Sequence, residues 1–231
     1  MEKYLLIAAG GTGKRMGTEL PKQLIPLNGT PLLMHTLQSF DFMEDLHIVV
    51  VIPESYKKEW ISLCHLHDFK VPHQIAPCGP TRYHSVKSGL KLVPDGQLVA
   101  IHDGVRPFAS RETIERCFKL AEIRGNAIPV SPVRESVRVY GQTSNQSIDR
   151  QKLVLVQTPQ VFRSTLIRKA YQQPYDEQFT DDAGVLEKTG EPIYLTEGNR
   201  ENIKITDHFD LMIAENLIIR KEQQAQKDGL P

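Results

Sequence analysis

The feature that most constrains this chain is its first turn. An apolar run, Tyr4 to Ala9, reads as a buried first strand and empties into Ala9-Gly10-Gly11-Thr12-Gly13-Lys14-Arg15-Met16-Gly17, closed by Pro21-Lys22-Gln23. Glycine lets backbone N–H groups turn inward and approach a ligand without a Cβ in the way. Inward N–H groups, the cations Lys14 and Arg15, and Lys22 behind a short loop suit a polyphosphate. The alternative is a tight strand-to-helix turn with solvated charges, since glycine motifs alone are weak signals.

Two common phosphate grammars are excluded. A Walker A loop ending at Gly13-Lys14 would need glycine at position 8 and a hydroxyl at position 15, where the chain has Ala8 and Arg15. The dinucleotide fingerprint would need glycine where Met16 stands and an acid closing the second strand, which instead runs out as Val51-Ile52-Pro53.

The rest of the chain alternates between strand-length apolar runs and helical stretches. Strands are expected at Leu5–Ala9, His47–Ile52, Val71–Ala76, Leu98–His102 and Ala127–Ser131, with helices at Pro31–Phe40, Glu54–His65, Arg82–Leu92 and Arg111–Arg124. This rhythm predicts an α/β fold: a Rossmann-like, mostly parallel sheet with helices on both faces. Ligands of such sheets sit at the carboxyl ends of the strands, where the first loop and Asp103 fall.

The rhythm breaks at residues 134–156. Val133 to Tyr140 alternates polar and apolar residues, Gly141–Gln146 is turn-rich, and Leu153–Val156 is extended again. This predicts a β-hairpin arm projecting from a single domain spanning residues 1–231. Exposed Val and Tyr on an arm call for a cover, most simply a second copy of the chain. Beyond the arm, helices are expected at Ser164–Gln172, Thr180–Lys188 and from His208 to about Gln223, and strands at Ile193–Thr196 and Ile203–Thr206.

Charge and cysteine usage narrow the partners. The 231 residues carry 28 Lys and Arg against 28 Asp and Glu, without the basic surplus expected of a nucleic-acid binder. Any anion site is therefore a local concentration of charge. Three cysteines, Cys64, Cys78 and Cys117, give no even disulfide framework. With no signal-peptide pattern and no apolar run near membrane-span length, a cytoplasmic protein is expected.

Several residues are candidates for chemistry. Asp103, closing a strand opposite the glycine loop and followed by Gly104 and Arg106, suits Mg²⁺, which is held by one or two carboxylates plus phosphate oxygens. A capping Asp–Arg pair is the alternative, and His102 reads as a satisfied core residue. Gly79-Pro80-Thr81-Arg82-x-x-Ser85 is a glycine turn into a helix with Arg82 and Ser85 on one face, where turn amides and a hydroxyl could read a base edge. N-capping by Thr81 is the plainer account. Lys204 on an apolar strand would be costly unpaired and is a candidate phosphate partner. Thr180, opening a helix, is a candidate N-cap. Cys64-His65-Leu66-His67 invites a zinc reading, but these side chains converge poorly from one helix end and lack a second ligand cluster.

Taken in order, Arg15-Met16, Pro21-Lys22-Gln23, Gly79-x-x-Arg82-x-x-Ser85-Val86, His102-Asp103-x-x-Arg106-Pro107, Asp149-Arg150, Thr158-Pro159-Gln160, Thr180-Asp181 and Asn202-Ile203-Lys204 resemble a branch of the sugar nucleotidyltransferases, the 2-C-methyl-D-erythritol 4-phosphate cytidylyltransferase family of non-mevalonate isoprenoid synthesis. The resemblance runs from about residue 4 to residue 216. It implies CTP as substrate, a divalent cation and a homodimer with interlocking arms. By position it implies that Arg15 and Lys22 stabilise the transition state and that Asp103 holds the metal. It further implies that the loop Ala8, Ala9, Gly10, Gly11, Thr12, Gly13 and Lys14 binds the triphosphate, and that Gly79, Ser85 and Gly104 contact cytidine. Arg106, Thr158, Thr180 and Arg150 (from the partner's arm) would place the methylerythritol phosphate, and Lys204 would touch phosphates. One departure is Pro80, where the family commonly has an acid; proline also lacks an N–H. The rivals are a ribitol-5-phosphate cytidylyltransferase and a non-catalytic nucleotide sensor on the same scaffold.

Overall fold

The computed structural model describes residues 1–11, 21–141 and 143–227, without the side chains of residues 222 and 224–227. The assignments made above to Thr12, Gly13, Lys14 and Arg15 lie outside the described residues. Strands β1 (Lys3–Ala8), β4 (Leu46–Ile52), β5 (Gln74–Pro77) and β6 (Leu98–Asp103) run parallel, in the spatial order β6-β1-β4-β5. Their apolar residues run continuously because both faces are covered. Leu5 and Ile7, Ile48 and Val50, Leu98 and Ala100 point into one core; Leu6, Val49 and Val51, Val99 and Ile101 point into the other. The first core is closed by α1 (Leu32–Gln38), α2 (Lys57–Leu66) and α4 (Arg111–Arg124), through Leu33, Leu37, Trp60, Ile114 and Phe118. The second is closed by α3 (Arg82–Leu90), α5 (Ser164–Ala170) and α6 (Asp182–Glu187), through Tyr83, Val86, Ile167 and Leu186. The expected sheet with helices on both faces is thus the observed one.

On the other side of β6 the sheet turns mixed. β11 (Gln160–Arg163) inserts antiparallel between β6 and β7 (Asn126–Pro132), and β10 (Val154–Val156) pairs antiparallel with the outer edge of β7. β12 (Leu195–Glu197) runs parallel to β7. A small third core joins α7 (His208–Lys227) through Ala214 and Ile218 to Leu27, Leu32, Val105, Phe108 and Ile205. Leu27 belongs to a short antiparallel pair, β2 (Pro26–Leu27) with β3 (Thr30–Pro31). Among the described residues, no helix is long and apolar enough to cross a membrane.

Four expectations are corrected. Residues 203–206 form no strand: Ile205 N donates to Val105 O at 3.0 Å, a single bond that ties an irregular segment to the loop after β6. The third strand is Gln74–Pro77, later than expected, since its register is set by β4. The arm closes earlier than expected: β8 (Val137–Tyr140) pairs with β9 (Asn145–Ile148), while Val154–Val156 has already rejoined the main sheet. The helix after residue 180 begins at Asp182, and its N-cap is Asp181, whose side chain accepts from Gly184 N, so Thr180 is not the cap.

Candidate active site

The parallel register brings the site together. Ala8 pairs with Val51 on one side and Asp103 on the other, so the glycine loop and the acid leave the sheet side by side. Beside them opens a cavity of about 300 Å³, lined by Ala8, Ala9, Gly10 and Gly11, Lys22 and Gln23, the Gly79-Pro80-Thr81-Arg82 turn with Ser85, and Asp103, Val105 and Lys204. Close approach dictates two of its glycines. A Cβ on Gly10 would come within 2.6 Å of Cys78 Sγ, and one on Gly79 would run into His84. Lys22 lies over the glycine loop, its Cε 3.1 Å from where a Gly11 Cβ would stand. The buried Gln23 ties this segment down by donating from Nε2 to Ala9 O at 2.5 Å.

The α3 turn is held by Ser85 and Thr81. Ser85 Oγ accepts from Gly79 N at 3.1 Å and donates to Thr81 O at 2.9 Å, while Thr81 caps the helix by accepting from His84 N. The capping expected of Thr81 is therefore present, and Ser85 both lines the cavity and shapes its wall.

A charge cluster forms the floor. The buried Asp103 carboxylate is ion-paired with Arg82 Nε at 3.4 Å, Arg106 Nε at 3.1 Å and Lys204 Nζ at 3.1 Å. Burial pushes its pKa up, but Arg82, Lys204 and Arg106 together outweigh that and hold it well below the usual carboxylate range. Lys204 is thus neither on a strand nor unpaired; its partner is Asp103. Arg82 also forms a two-pronged bond to the fully buried Asp182, at 2.9 and 2.7 Å. Arg106 Nη1 donates to Asn202 O at 2.8 Å, which fixes the segment that carries Lys204.

A second cavity of about 240 Å³ lies across this cluster, lined by Arg106, Val156, Gln157, Thr158, Gln160, Thr180 and Asp181. Arg82, Asp103 and Lys204 line both cavities. The arrangement can hold one anionic group on each side of a cationic wall. Among the described residues no group of three or more His, Cys, Asp or Glu side chains could hold a metal. Asp103 nevertheless fits a Mg²⁺ ion shared with phosphate oxygens, which needs one or two carboxylates: it stays ionised, and its Oδ1 has only the longer contact to Arg82.

Beneath the cluster runs a buried relay. Asp103 N donates to Thr158 Oγ1 at 3.1 Å, and Thr158 Oγ1 lies 2.8 Å from His102 Nδ1. His102 Nε2 faces Arg106 O at 2.9 Å. A carbonyl only accepts, so Nε2 carries the proton and Nδ1 accepts from the threonine hydroxyl. Burial lowers the His102 pKa to about 4 and keeps the ring neutral. A folded pKa below the unfolded value near 6.5 contributes stability above that pH, lost as pH falls toward 4. The relay fixes the main chain at both Asp103 and Arg106. Thr158→Val should strand two buried partners and lower stability by about 1–3 kcal/mol, read by denaturant unfolding at pH 7. An unchanged midpoint would show the relay to be dispensable.

Most expected site residues converge. Ala8, Ala9, Gly10, Gly11, Lys22, Gly79, Ser85, Asp103 and Lys204 line the first cavity, and Arg106, Thr158 and Thr180 line the second. Gly104 lines neither; its N donates to Ala8 O at 3.1 Å, and a Cβ there would press on Ala9, Ile7 and Leu33. Arg150 also lines neither: it sits in a 3₁₀ turn, Arg150–Lys152, and its Nη1 donates to Arg134 O of its own arm. Asp182, Gln157, Gln160 and Tyr171 gain their roles only in the fold, and Arg82, expected on one helix face with Ser85, gains two acidic partners there. Gln160 joins the second site to α6: its Nε2 donates to Asp181 Oδ2 at 2.8 Å, and its Oε1 accepts from Ala183 N at 2.9 Å.

The profile of the 2-C-methyl-D-erythritol 4-phosphate cytidylyltransferase family matches residues 4–220. A Porphyromonas gingivalis protein of that name is 50% identical over 218 residues, covering 94% of this chain and 98% of the relative. The Bacteroides fragilis protein of that name is 51% identical over 219 residues, covering 94% and 100%. The crystal structure of the Thermus thermophilus enzyme of that name superposes with a TM-score of 0.74 at 30% identity, covering 94% of this chain and 98% of that one.

Proposed function

The chain belongs to the 2-C-methyl-D-erythritol 4-phosphate cytidylyltransferase family, and we infer from that premise how its two-sided cleft works. The enzyme is a nucleotidyltransferase: it transfers CMP from CTP to 2-C-methyl-D-erythritol 4-phosphate, giving CDP-methylerythritol and pyrophosphate for isoprenoid synthesis. The observation that supports our reading is the charged wall of Arg82 and Lys204 around Asp103, standing between a glycine-lined cavity and a second, polar one. CTP takes the first cavity, its triphosphate on the loop from Ala8 through Lys14 and its base beside Gly79 and Ser85, with Gly104 supporting the loop. Methylerythritol phosphate takes the second, its phosphate on Arg106, Lys204, Thr158 and Thr180. Pro80, without an N–H, narrows recognition of the base to neighbouring groups of the turn.

The chemistry needs no general base. A phosphate monoester has a second pKa near 6 and is already a dianion at neutral pH. One of its oxygens attacks the α-phosphorus, a new P–O bond forms, and the bond to the bridging oxygen breaks with its electron pair leaving on pyrophosphate. The barrier is repulsion between anions plus charge growth on the α-phosphate, which fixed cations oppose. Arg15 and Lys22 act on the transferring group, and Lys204 steadies the incoming phosphate. Asp103, together with the triphosphate, would hold a Mg²⁺ ion, which would supply further charge neutralisation.

The partner's Arg150 completes the second cavity in a homodimer with exchanged arms; the exposed Val139 and Tyr140 of each arm call for such a cover. Three free cysteines support a reducing compartment, and we place the enzyme in the cytoplasm.

The direct test is pyrophosphate release with each of the common nucleoside triphosphates against methylerythritol phosphate and ribitol phosphate. Activity confined to CTP with methylerythritol phosphate is expected; preference for ribitol phosphate, or none with any pair, overturns the reading. For the metal, Asp103→Asn should shift half-maximal activity to higher Mg²⁺ by roughly tenfold or more, since a neutral amide is a poorer ligand for a hard cation. An unchanged Mg²⁺ titration would leave Asp103 as a charge anchor only.

A further inference from the structure

Arg82 opens α3 on the wall common to both cavities, and an unusual amount of buried polar structure is committed to it. Its terminal nitrogens grip Asp182, and its Nε reaches Asp103. Asp182 is fully buried and takes a further bond from Tyr171 Oη at 2.6 Å. Burial, together with the Asp182 charge, holds the Tyr171 phenol well above its usual range, so it remains a donor. Asp182 in turn stands at the first position of α6, whose start Gln160 clamps through Asp181 and Ala183. Gln160, Tyr171 and Asp182, from β11, the end of α5 and α6, thus fix one guanidinium.

Stability alone is a poor reason for such an arrangement. A buried ion pair is often no better than well-packed apolar residues. What the arrangement secures is orientation: a guanidinium whose fork cannot swing, placed between the two ligand cavities. Its bonds to Asp103 and Asp182 use one N–H on Nε and one on each terminal nitrogen. A guanidinium has five N–H donors, so one remains on each terminal nitrogen for an anion on either side.

We propose that Arg82 is a further catalytic residue, donating to the phosphate of the incoming substrate and to the α-phosphate of the nucleotide at once, with Asp182, Tyr171 and Gln160 as its positioning residues. The inference rests on the cytidylyl-transfer reading of the cleft. Arg82 lowers the repulsion between the two reacting anions and holds them in line, contributions that are greatest in the transition state.

The test uses the full-length protein with CTP, methylerythritol phosphate and Mg²⁺. Arg82→Ala should lower kcat by roughly a hundred- to a thousand-fold, as removal of one preorganised donor does. Added methylguanidine should restore part of the loss, which repair of a purely structural contact would not do. Arg82→Lys keeps charge but not the fork and should remain at least about tenfold slow; this variant decides the matter if the alanine variant does not fold. Asp182→Asn should lower kcat while leaving KM for CTP within about twofold, since it misdirects Arg82 without touching the nucleotide. Folded Arg82→Ala or Arg82→Lys with near wild-type kcat overturns the proposal. So does a kcat loss in Arg82→Ala that methylguanidine leaves untouched while Arg82→Lys is fully active. Wild-type protein that releases no pyrophosphate from this substrate pair overturns the cytidylyl-transfer reading itself, which separates the two failures.

Discussion

Lys22→Ala is expected to turn over roughly a hundred- to a thousand-fold more slowly than wild type at saturating CTP, a loss of about 3 kcal/mol or more of transition-state stabilisation. Its melting temperature should hardly move. The two expectations come from different parts of the same turn. Lys22 is only partly buried and is the first residue of a 3₁₀ turn, Lys22–Leu24. The neighbouring Gln23 and Leu24 are the buried anchors, Gln23 through Ala9 O and Leu24 in the first core. Truncation at 22 therefore leaves the segment anchored while removing the ammonium that lies over the glycine loop. Charge on the transferring phosphoryl group grows as the transition state forms, so the loss should fall on kcat more than on CTP affinity. Pyrophosphate release at saturating substrate, with a thermal melt alongside, checks both. Near wild-type turnover would remove Lys22 from the chemistry.

The parts of the molecule that were legible in the sequence are those governed by local periodicity. Tyr4 to Ala9 and the valines of β4 announce two-faced burial, and the structure divides them between two cores by simple alternation. The glycine loop and Asp103 were legible as neighbours because parallel strands deliver their carboxyl ends to one edge. The illegible parts depend on partners far along the chain. Asp182 reads as an ordinary acid at a helix start; only the fold brings Arg82 to it across 100 residues. Lys204 looked anomalous on an apolar strand because Ile203 and Ile205 flank it. Instead Ile205 packs into the third core, while the ammonium turns to Asp103. Thr158 lines the second cavity as expected, and its hydroxyl also serves Asp103 N and His102, a pairing that no sequence spacing announces.

Arg150 illustrates the same limit at the level of the assembly, and here mixed dimers offer the sharpest result. The chain leaves β9, turns through Arg150–Lys152 and returns as β10, which pairs Val154 with Pro132 and Val156 with Val130 at the edge of the sheet. Arg150 is left on the arm side of that return, bonded to its own Arg134 carbonyl and lining neither cavity. The arm around it exposes Val139 at 59% and Tyr140 at 88% of their surfaces. A two-fold dimer with exchanged arms would cover those side chains and carry each guanidinium into the neighbour's second cavity, where its fork suits a phosphate. Arg150→Ala and Lys22→Ala chains are then each inactive alone, because every site lacks one of the two cations. In a mixed dimer one site lacks both, but the other combines the intact Lys22 of one chain with the intact Arg150 of its partner. With free exchange, half the dimers are mixed and each has one working site of two, so activity should recover to about a quarter of wild type. The measurement is pyrophosphate release before and after mixing, with subunit exchange followed independently by a size or fluorescence label. If exchange is complete and no activity returns, Arg150 serves its own subunit or none, and the arm contributes only structure.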